Sequence, residues 1–319
     1  MGRVVAVANQ KGGVGKTTTA VNLSASLVVA EQRVLVIDLD PQSNATTGLG
    51  ISPRSVDRGS YQLLLGQASV TELAHPTELP GLDIVPATPD LVAIERELID
   101  EPDAPQKLKQ AIAEVRDRYD FIVLDCPPSL GTLTINALVA SDFVVVPLQC
   151  EYYALEGLSQ LVDTIDRVKH SLNPGLSIHG VLLTMFDPRN NLANEVADEV
   201  RRHFHVYETI IPRNVRLAEA PSYGKPVVLY DASSRGSSGY LNFARELLDG
   251  LEAVGGTTMS MTDHLGDRMP LLASGGPLRY HTVLHPAEPR RAGTQGSVAG
   301  GSGRQKAAAP WESGIWRTT

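Results

Sequence analysis

Apolar residues along the chain gather in two ways: short, nearly unbroken runs, and longer stretches in which they return every third or fourth position. The first pattern is that of strands buried on both faces, and the second is that of helices with one apolar face. Strands are expected at 3–8, 33–40, 82–86, 120–125, 143–148, 178–184 and 207–211. Helices are expected from Thr17 onward, where Ala20, Val21, Leu23, Leu27 and Val28 fall at helical spacing, and at 106–118, 130–139, 155–172, 194–204 and 240–251. Such regular alternation predicts an α/β fold, a mostly parallel sheet with helices on both faces.

The pattern stops at Val254. Residues 255–319 hold 11 of the 28 glycines and 5 of the 21 prolines with no sustained periodicity, which predicts a disordered C-terminal tail after a domain spanning 1–254. Both tryptophans, Trp311 and Trp316, fall in that tail, as chance or as a short docking motif. No internal repeat is evident.

Composition narrows the picture. A chain of 319 residues can bury a substantial core without staples, and Cys126 and Cys150 sit in apolar runs with no CxxC partner, as buried thiols of a reducing compartment do. No apolar run reaches the ~18 residues of a membrane span, and the N-terminus enters a strand without an export signal, so a cytoplasmic protein is expected. The formal net charge is −8, unevenly spread: residues 255–319 carry seven Lys and Arg against four Asp and Glu, leaving 21 against 32 in residues 1–254. An acidic body argues against a nucleic-acid coat, but local basic patches decide binding.

The chemistry starts at Asn9-Gln10-Lys11-Gly12-Gly13-Val14-Gly15-Lys16-Thr17-Thr18, between the first strand and the first helix. Glycines let several N–H groups turn inward, and the helix adds its positive end, so a polyphosphate belongs there. Lys16 should reach the β- and γ-phosphates, and the Thr17 hydroxyl should take one Mg²⁺ position. The usual Walker A pattern has Gly where Gln10 stands, and this loop has a second lysine, Lys11. Asp125 closes the apolar run 121–124 and is a second Mg²⁺ anchor, or else caps the helix that follows. Asp38 and Asp40, two apart, share a face if the chain is extended, and spacing does not choose which of them orients an attacking water. His203 and His205 are poorly spaced for a metal.

These segments, with Asp38-Leu39-Asp40-Pro41-Gln42, Asp125-Cys126-Pro127-Pro128-Ser129, Gln149-Cys150-Glu151-Tyr152-Tyr153 and Ile211-Pro212-Arg213-Asn214-Val215-Arg216, resemble the motifs of the ParA/MinD family of deviant Walker A ATPases, in particular its chromosome-partitioning ParA/Soj type, over about residues 2–250. The resemblance implies a three-layer P-loop NTPase fold and a homodimer that sandwiches two ATP molecules. It implies a slow, partner-stimulated ATP hydrolase for chromosome or plasmid partition. Lys11 would then cross to the partner's phosphates, and Asp40 rather than Asp38 would orient the water. The ATP site would comprise Lys11, Gly12, Gly13, Val14, Gly15, Lys16, Thr17 and Thr18, with Pro212 and Asn214 by the adenine and Thr17 and Asp125 at the Mg²⁺. Nonspecific DNA binding by the ATP dimer would use Arg189 and Arg216, with Arg201, Arg202, Lys225 and Arg235 as weaker candidates. Release would follow hydrolysis stimulated by a ParB-type protein, and the protein would be cytoplasmic and nucleoid-associated. The alternatives are a membrane-cycling MinD-like ATPase, disfavoured because Gly and Pro break the tail, an iron–sulfur reductase, disfavoured by its cysteine contexts, and a nucleotide-dependent DNA-binding regulator.

Overall fold

The computed structural model describes residues 1–255; the glycine- and proline-rich remainder, with Trp311 and Trp316, lies outside the described residues. Eight strands form one sheet: β1 (Arg3–Val7), β2 (Val34–Asp38), β3 (His75–Pro76), β4 (Leu82–Val85), β5 (Phe121–Asp125), β6 (Phe143–Leu148), β7 (Ser177–Phe186) and β8 (Ile211–Pro212). Their order is β3-β4-β2-β5-β1-β6-β7-β8. Every pairing is parallel except that of the edge strand β3 with β4.

Around the sheet run α1 (Lys16–Val29), α2 (Asn44–Gly48), α3 (Ser60–Leu64), α4 (Val70–Leu73), α5 (Ile94–Glu97), α6 (Lys107–Ala113), α7 (Thr132–Ala140), α8 (Ala154–Ser171), α9 (Asn191–His203), α10 (Val215–Glu219), α11 (Val227–Tyr230) and α12 (Arg235–Gly255). The central strands read as unbroken apolar runs because both faces are covered. Val5 and Val7 feed a core with Leu23 and Leu27 of α1 and Phe243 and Leu247 of α12. Val4 and Ala6 feed the opposite core, with Leu108 of α6, Leu138 of α7, Leu161 of α8 and Val200 of α9. These are the three layers expected.

The chain departs from the sequence reading at several element ends. The second strand stops at Asp38, so Asp38 and Asp40 do not share an extended face; Pro41 follows, and residues 41–42 are a turn. The expected strand at 207–211 shrinks to Ile211–Pro212 with an isolated bridge from Val206 to Val181, because the Glu208 and Thr209 amides turn to the Glu246 carboxylate instead. The sixth helix ends at Ala113 and gives way to turns, five residues short of the expectation. The short helices α2 to α5, α10 and α11 are too brief to print a period, and α12 starts well before its apolar stripe.

This order sets the site. β1 lies between β5 and β6, and the chain leaves β1 toward one side of the sheet first and builds the other side later. The crevice beyond the carboxyl end of β1 is therefore the switch point at which ligands bind in open parallel sheets.

Candidate nucleotide-binding site

Residues 9–15 fill that crevice, leading from β1 into α1. Gly13 and Gly15 sit at φ 73° and 87°, the left-handed region that side chains disfavour, and they give the loop its curl. A Cβ at Gly12 or Gly13 meets no atom within 4 Å, so the loop's outer face is open. No side chain caps the amino end of α1 and its first turn has no acid, which leaves that positive end for an anion.

Neighbouring strands hold the loop in place. Asn9 Nδ2 donates to the Pro147 carbonyl at the end of β6 (2.8 Å), and Asn9 Oδ1 accepts from the Lys11 amide (3.0 Å). The buried Thr184 hydroxyl of β7 donates to the Val14 carbonyl (2.7 Å). The contacts to β6 and β7 bridge 138 and 170 residues, so neither Asn9 nor Thr184 stood out in the sequence; only the position of Asn9 beside the loop hinted at a role.

Below the loop lie three carboxylates. Asp38 and Asp125 are register partners at the ends of β2 and β5, and both are completely buried, while Asp40 is 7% exposed. Their hydrogen bonding differs. Asp38 accepts from the Asp40 amide (3.1 Å), the Thr46 amide (2.9 Å) and the Thr46 hydroxyl (2.7 Å), and the same hydroxyl accepts from the Ala87 amide. Asp38 thus ties the β2 end to α2 and to the chain after β4. Asp40 accepts from the Gln42 amide (2.9 Å). Neither oxygen of Asp125 has a hydrogen-bond partner; Thr17 stands near enough to favour its charged form without closing a well-formed bond. Asp125 does not cap α7, whose N-cap is Gly131.

Burial dominates the electrostatics here. It raises the Asp125 carboxyl well above its usual range, with the Asp38 charge adding to it, and it pushes Asp38 up to about 6 against the hydrogen bonds from Thr46. It pulls Lys16 below the usual lysine range, opposed first by Asp125. The Lys16 ammonium, 7% exposed as a residue, donates to the Lys11 carbonyl (2.9 Å). Lys11 points elsewhere: its ammonium meets Glu151 Oε2 at 2.6 Å.

An unpartnered, buried carboxylate beside a threonine at a helix start fits a hard divalent cation. Among the described residues no group of three or more His, Cys, Asp or Glu side chains could hold a metal by itself, so phosphate oxygens and water would complete the shell. Cys126 and Cys150 are free and buried just beyond β5 and β6, and burial raises both thiols, Cys150 to about 11, which keeps them inert.

Pro212 ends β8 and Asn214 follows it at the same sheet edge; Ile211 pairs with Thr184, and Asn214 Oδ1 caps α10 through the Arg216 amide (2.9 Å). Arg189 and Arg216 lie just past the adjacent ends of β7 and β8, and both are in ion pairs. Arg189 meets Asp187 at 2.8 Å, and Arg216 meets Glu219 at 2.8 Å and Asp231 at 3.1 Å. Of the weaker candidates, Arg201, Arg202 and Lys225 are paired with Asp198, Glu199 and Glu78.

A glycine loop on a helix start, a buried lysine within it and an aspartate at the end of a neighbouring strand define the class of P-loop nucleoside triphosphatases. The AAA_31 family model, an AAA domain, matches residues 2–178. The chromosome partitioning protein ParA of Myxococcus xanthus is 55% identical over 250 residues, 78% of this chain and 88% of that protein. The sporulation initiation inhibitor protein Soj of Bacillus subtilis is 54% identical over 249 residues, 77% of this chain and 98% of that one. Among solved structures, cobyrinic acid a,c-diamide synthase from Mycobacterium smegmatis with a bound ATP analog and magnesium superposes at a TM-score of 0.70 with 35% identity, covering 81% and 98% of the two chains. The chain belongs to the ParA/MinD family of P-loop ATPases, among the chromosome-partitioning ParA and Soj proteins. It is a nucleotide-binding ATPase of chromosome partition.

Proposed function

We propose that this ATPase is an assembly switch: ATP joins two copies into a dimer, the dimer binds DNA nonspecifically on the nucleoid, and hydrolysis stimulated by a ParB-type protein releases it. One observation carries the reading. The phosphate loop holds two lysines, and only Lys16 lies buried above the carboxylates, whereas Lys11 is directed to the β6–α8 connection, away from its own loop's carboxylates. A lysine surplus to its own nucleotide is accounted for by a second subunit's phosphates, and a cation donated in trans couples hydrolysis to assembly.

Within one site, Lys16 leaves the Lys11 carbonyl to neutralise the β- and γ-phosphates, and the loop amides and the start of α1 hold the rest of the chain of phosphates. Mg²⁺, held by Thr17 and Asp125, would draw charge off the phosphoryl oxygens. Asp40 holds the attacking water. Its turn is fixed by the Gln42 contact and by Asp38, which positions the segment through Thr46 without meeting the nucleotide. Pro212 and Asn214 flank the adenine, and Arg189 and Arg216 meet DNA phosphates. Residues 1–254 form the ATPase domain and 255–319 a tail appended to it, in a cytoplasmic protein; among the described residues no helix is long and apolar enough to cross a membrane.

Co-sedimentation with DNA in ATP, in ADP and without nucleotide tests the switch. ATP-dependent pelleting is expected, and equal pelleting in all three conditions would refute it. Light scattering of Lys11→Ala should show no ATP-dependent dimer; a dimer of normal yield would remove Lys11 from the interface.

A further inference from the structure

Lys11 is not idle in the single chain. Its ammonium is 2.6 Å from Glu151 Oε2, with the lysine side chain 28% and the glutamate side chain 50% exposed. Glu151 stands between β6 and α8, and Pro147 near the end of β6 receives Asn9 Nδ2, so the loop is held at two points, one on the strand and one on the connection after it. The Lys11 backbone meanwhile carries the Lys16 ammonium on its carbonyl and donates its amide to Asn9. The two lysines are therefore linked: the contact that parks Lys16 also steadies the residue whose own ammonium is parked on Glu151.

We propose that Glu151 is a positioning residue that withdraws Lys11 in the nucleotide-free chain, so that ATP loading and assembly must break a preformed ion pair. The inference rests on the assembly reading above. When phosphates draw Lys16 off the Lys11 carbonyl, Lys11 loses one of its three anchors. Its ammonium then exchanges a singly charged carboxylate for the more highly charged phosphates of a second subunit. Glu151 thus opposes assembly in the absence of ATP and gives way in its presence, which sharpens the nucleotide dependence of the dimer. A half-exposed pair supplies a bias of only about two- to five-fold. That is enough to tune a concentration-dependent equilibrium without blocking it.

The full-length chain and its Glu151→Gln variant test this in two arms. The first labels nucleotide-free protein, dilute enough to be monomeric, with an amine-acylating reagent and follows Lys11 by mass spectrometry. Loss of the carboxylate should raise the Lys11 labelling rate about two- to five-fold at low ionic strength, with a smaller change at 1 M salt, where the Debye length is ~3 Å. An unchanged or slower rate would overturn the withdrawn state, whatever the oligomer does. The second arm measures the protein concentration at which half the chains are dimeric in ATP. Glu151→Gln should lower it about two- to five-fold, and the change should vanish in a Lys11→Ala background, where the pair is already broken. A higher midpoint in the variant would show that Glu151 supports the assembled state and would refute the proposal. If labelling responds and no dimer forms in the unaltered chain, the assembly reading fails while the ion pair stands, so the two failures are separable.

Discussion

Asp125→Asn isolates the electrostatic strain of the nucleotide site. In the metal-free chain the Asp125 carboxyl is fully buried, unpartnered and adjacent to Asp38, and its pKa is raised well above 3.8 by burial and by that neighbour. A carboxyl whose folded pKa lies above its unfolded one contributes stability that is complete below the unfolded pKa and is lost as pH rises through the folded one. Between those limits the folded chain holds one proton more than the unfolded chain, and stability falls by about 1.4 kcal/mol per pH unit. For a domain of this size that slope is about 3–6 °C of Tm per pH unit. Asp38 adds a window of the same sign from 3.8 to about 6, and His179, lowered by burial to about 4, adds one of opposite sign below 6.5, so the variant's difference from the parent isolates the Asp125 share. Thermal melts of nucleotide-free protein in EDTA, taken from about pH 5 to pH 8, should show the unaltered protein losing more stability with rising pH than the Asp125→Asn variant. The second half of the assay adds nucleotide with Mg²⁺ or with EDTA. A ligand at a hundredfold its Kd stabilises by about 2.7 kcal/mol, and the Mg²⁺-dependent share of that increment should shrink in the variant. Parallel pH profiles, or an equal Mg²⁺-dependent increment in both proteins, would refute the reasoning.

Asp40→Ala should retain ATP binding while slowing turnover on the order of 10²–10⁴-fold, so that an ATP-bound dimer accumulates in light scattering; normal turnover would remove Asp40 from the water-positioning role. Thr184→Val keeps the shape and deletes the buried 2.7 Å bond to the Val14 carbonyl, which should cost about 1–2 kcal/mol in urea unfolding and weaken nucleotide binding; a variant equal to the parent in both would show that the contact is dispensable. Asp187→Asn should release Arg189 and raise ATP-dependent DNA affinity about two- to five-fold at low salt in a fluorescence anisotropy titration, and a loss of affinity would show that Arg189 does not meet the phosphates.

Much of this was legible because it is local. The run 3–8 followed by the glycine loop and Lys16-Thr17 announces a strand, a tight glycine turn and a helix, and the structure has the strand, a loop curled at Gly13 and Gly15, and the helix there. Asp125 at the end of its apolar run was legible for the same reason. The different surroundings of Asp38 and Asp40 were not, since they depend on the strand ending at Asp38 and on Thr46 arriving from α2 to bond that carboxylate. Thr184 was invisible because its partner is 170 residues away, and only the sheet order brings β7 to the loop. The short strand β8 was over-read because its apolar pattern continues upstream, where the backbone bonds to Glu246 instead of to a neighbouring strand.

The cations that the proposed cycle needs share one condition in the single chain. Lys16 rests on the Lys11 carbonyl, Lys11 on Glu151, Arg189 on Asp187, and Arg216 on Glu219 and Asp231. A lone phosphate must displace a carboxylate already in place at three of these four, for a gain that a solvent-exposed ion pair limits to about 1 kcal/mol or less. One such exchange is too weak to hold a chain on DNA. Two chains joined by ATP, as proposed, would present the exchanges together on one DNA backbone, and linked sites bind more tightly than their separate affinities allow. Under the proposed cycle, self-pairing would keep the single chain off DNA at little cost to its stability, and DNA binding would depend on the assembly in which the second lysine of the phosphate loop is proposed to take part.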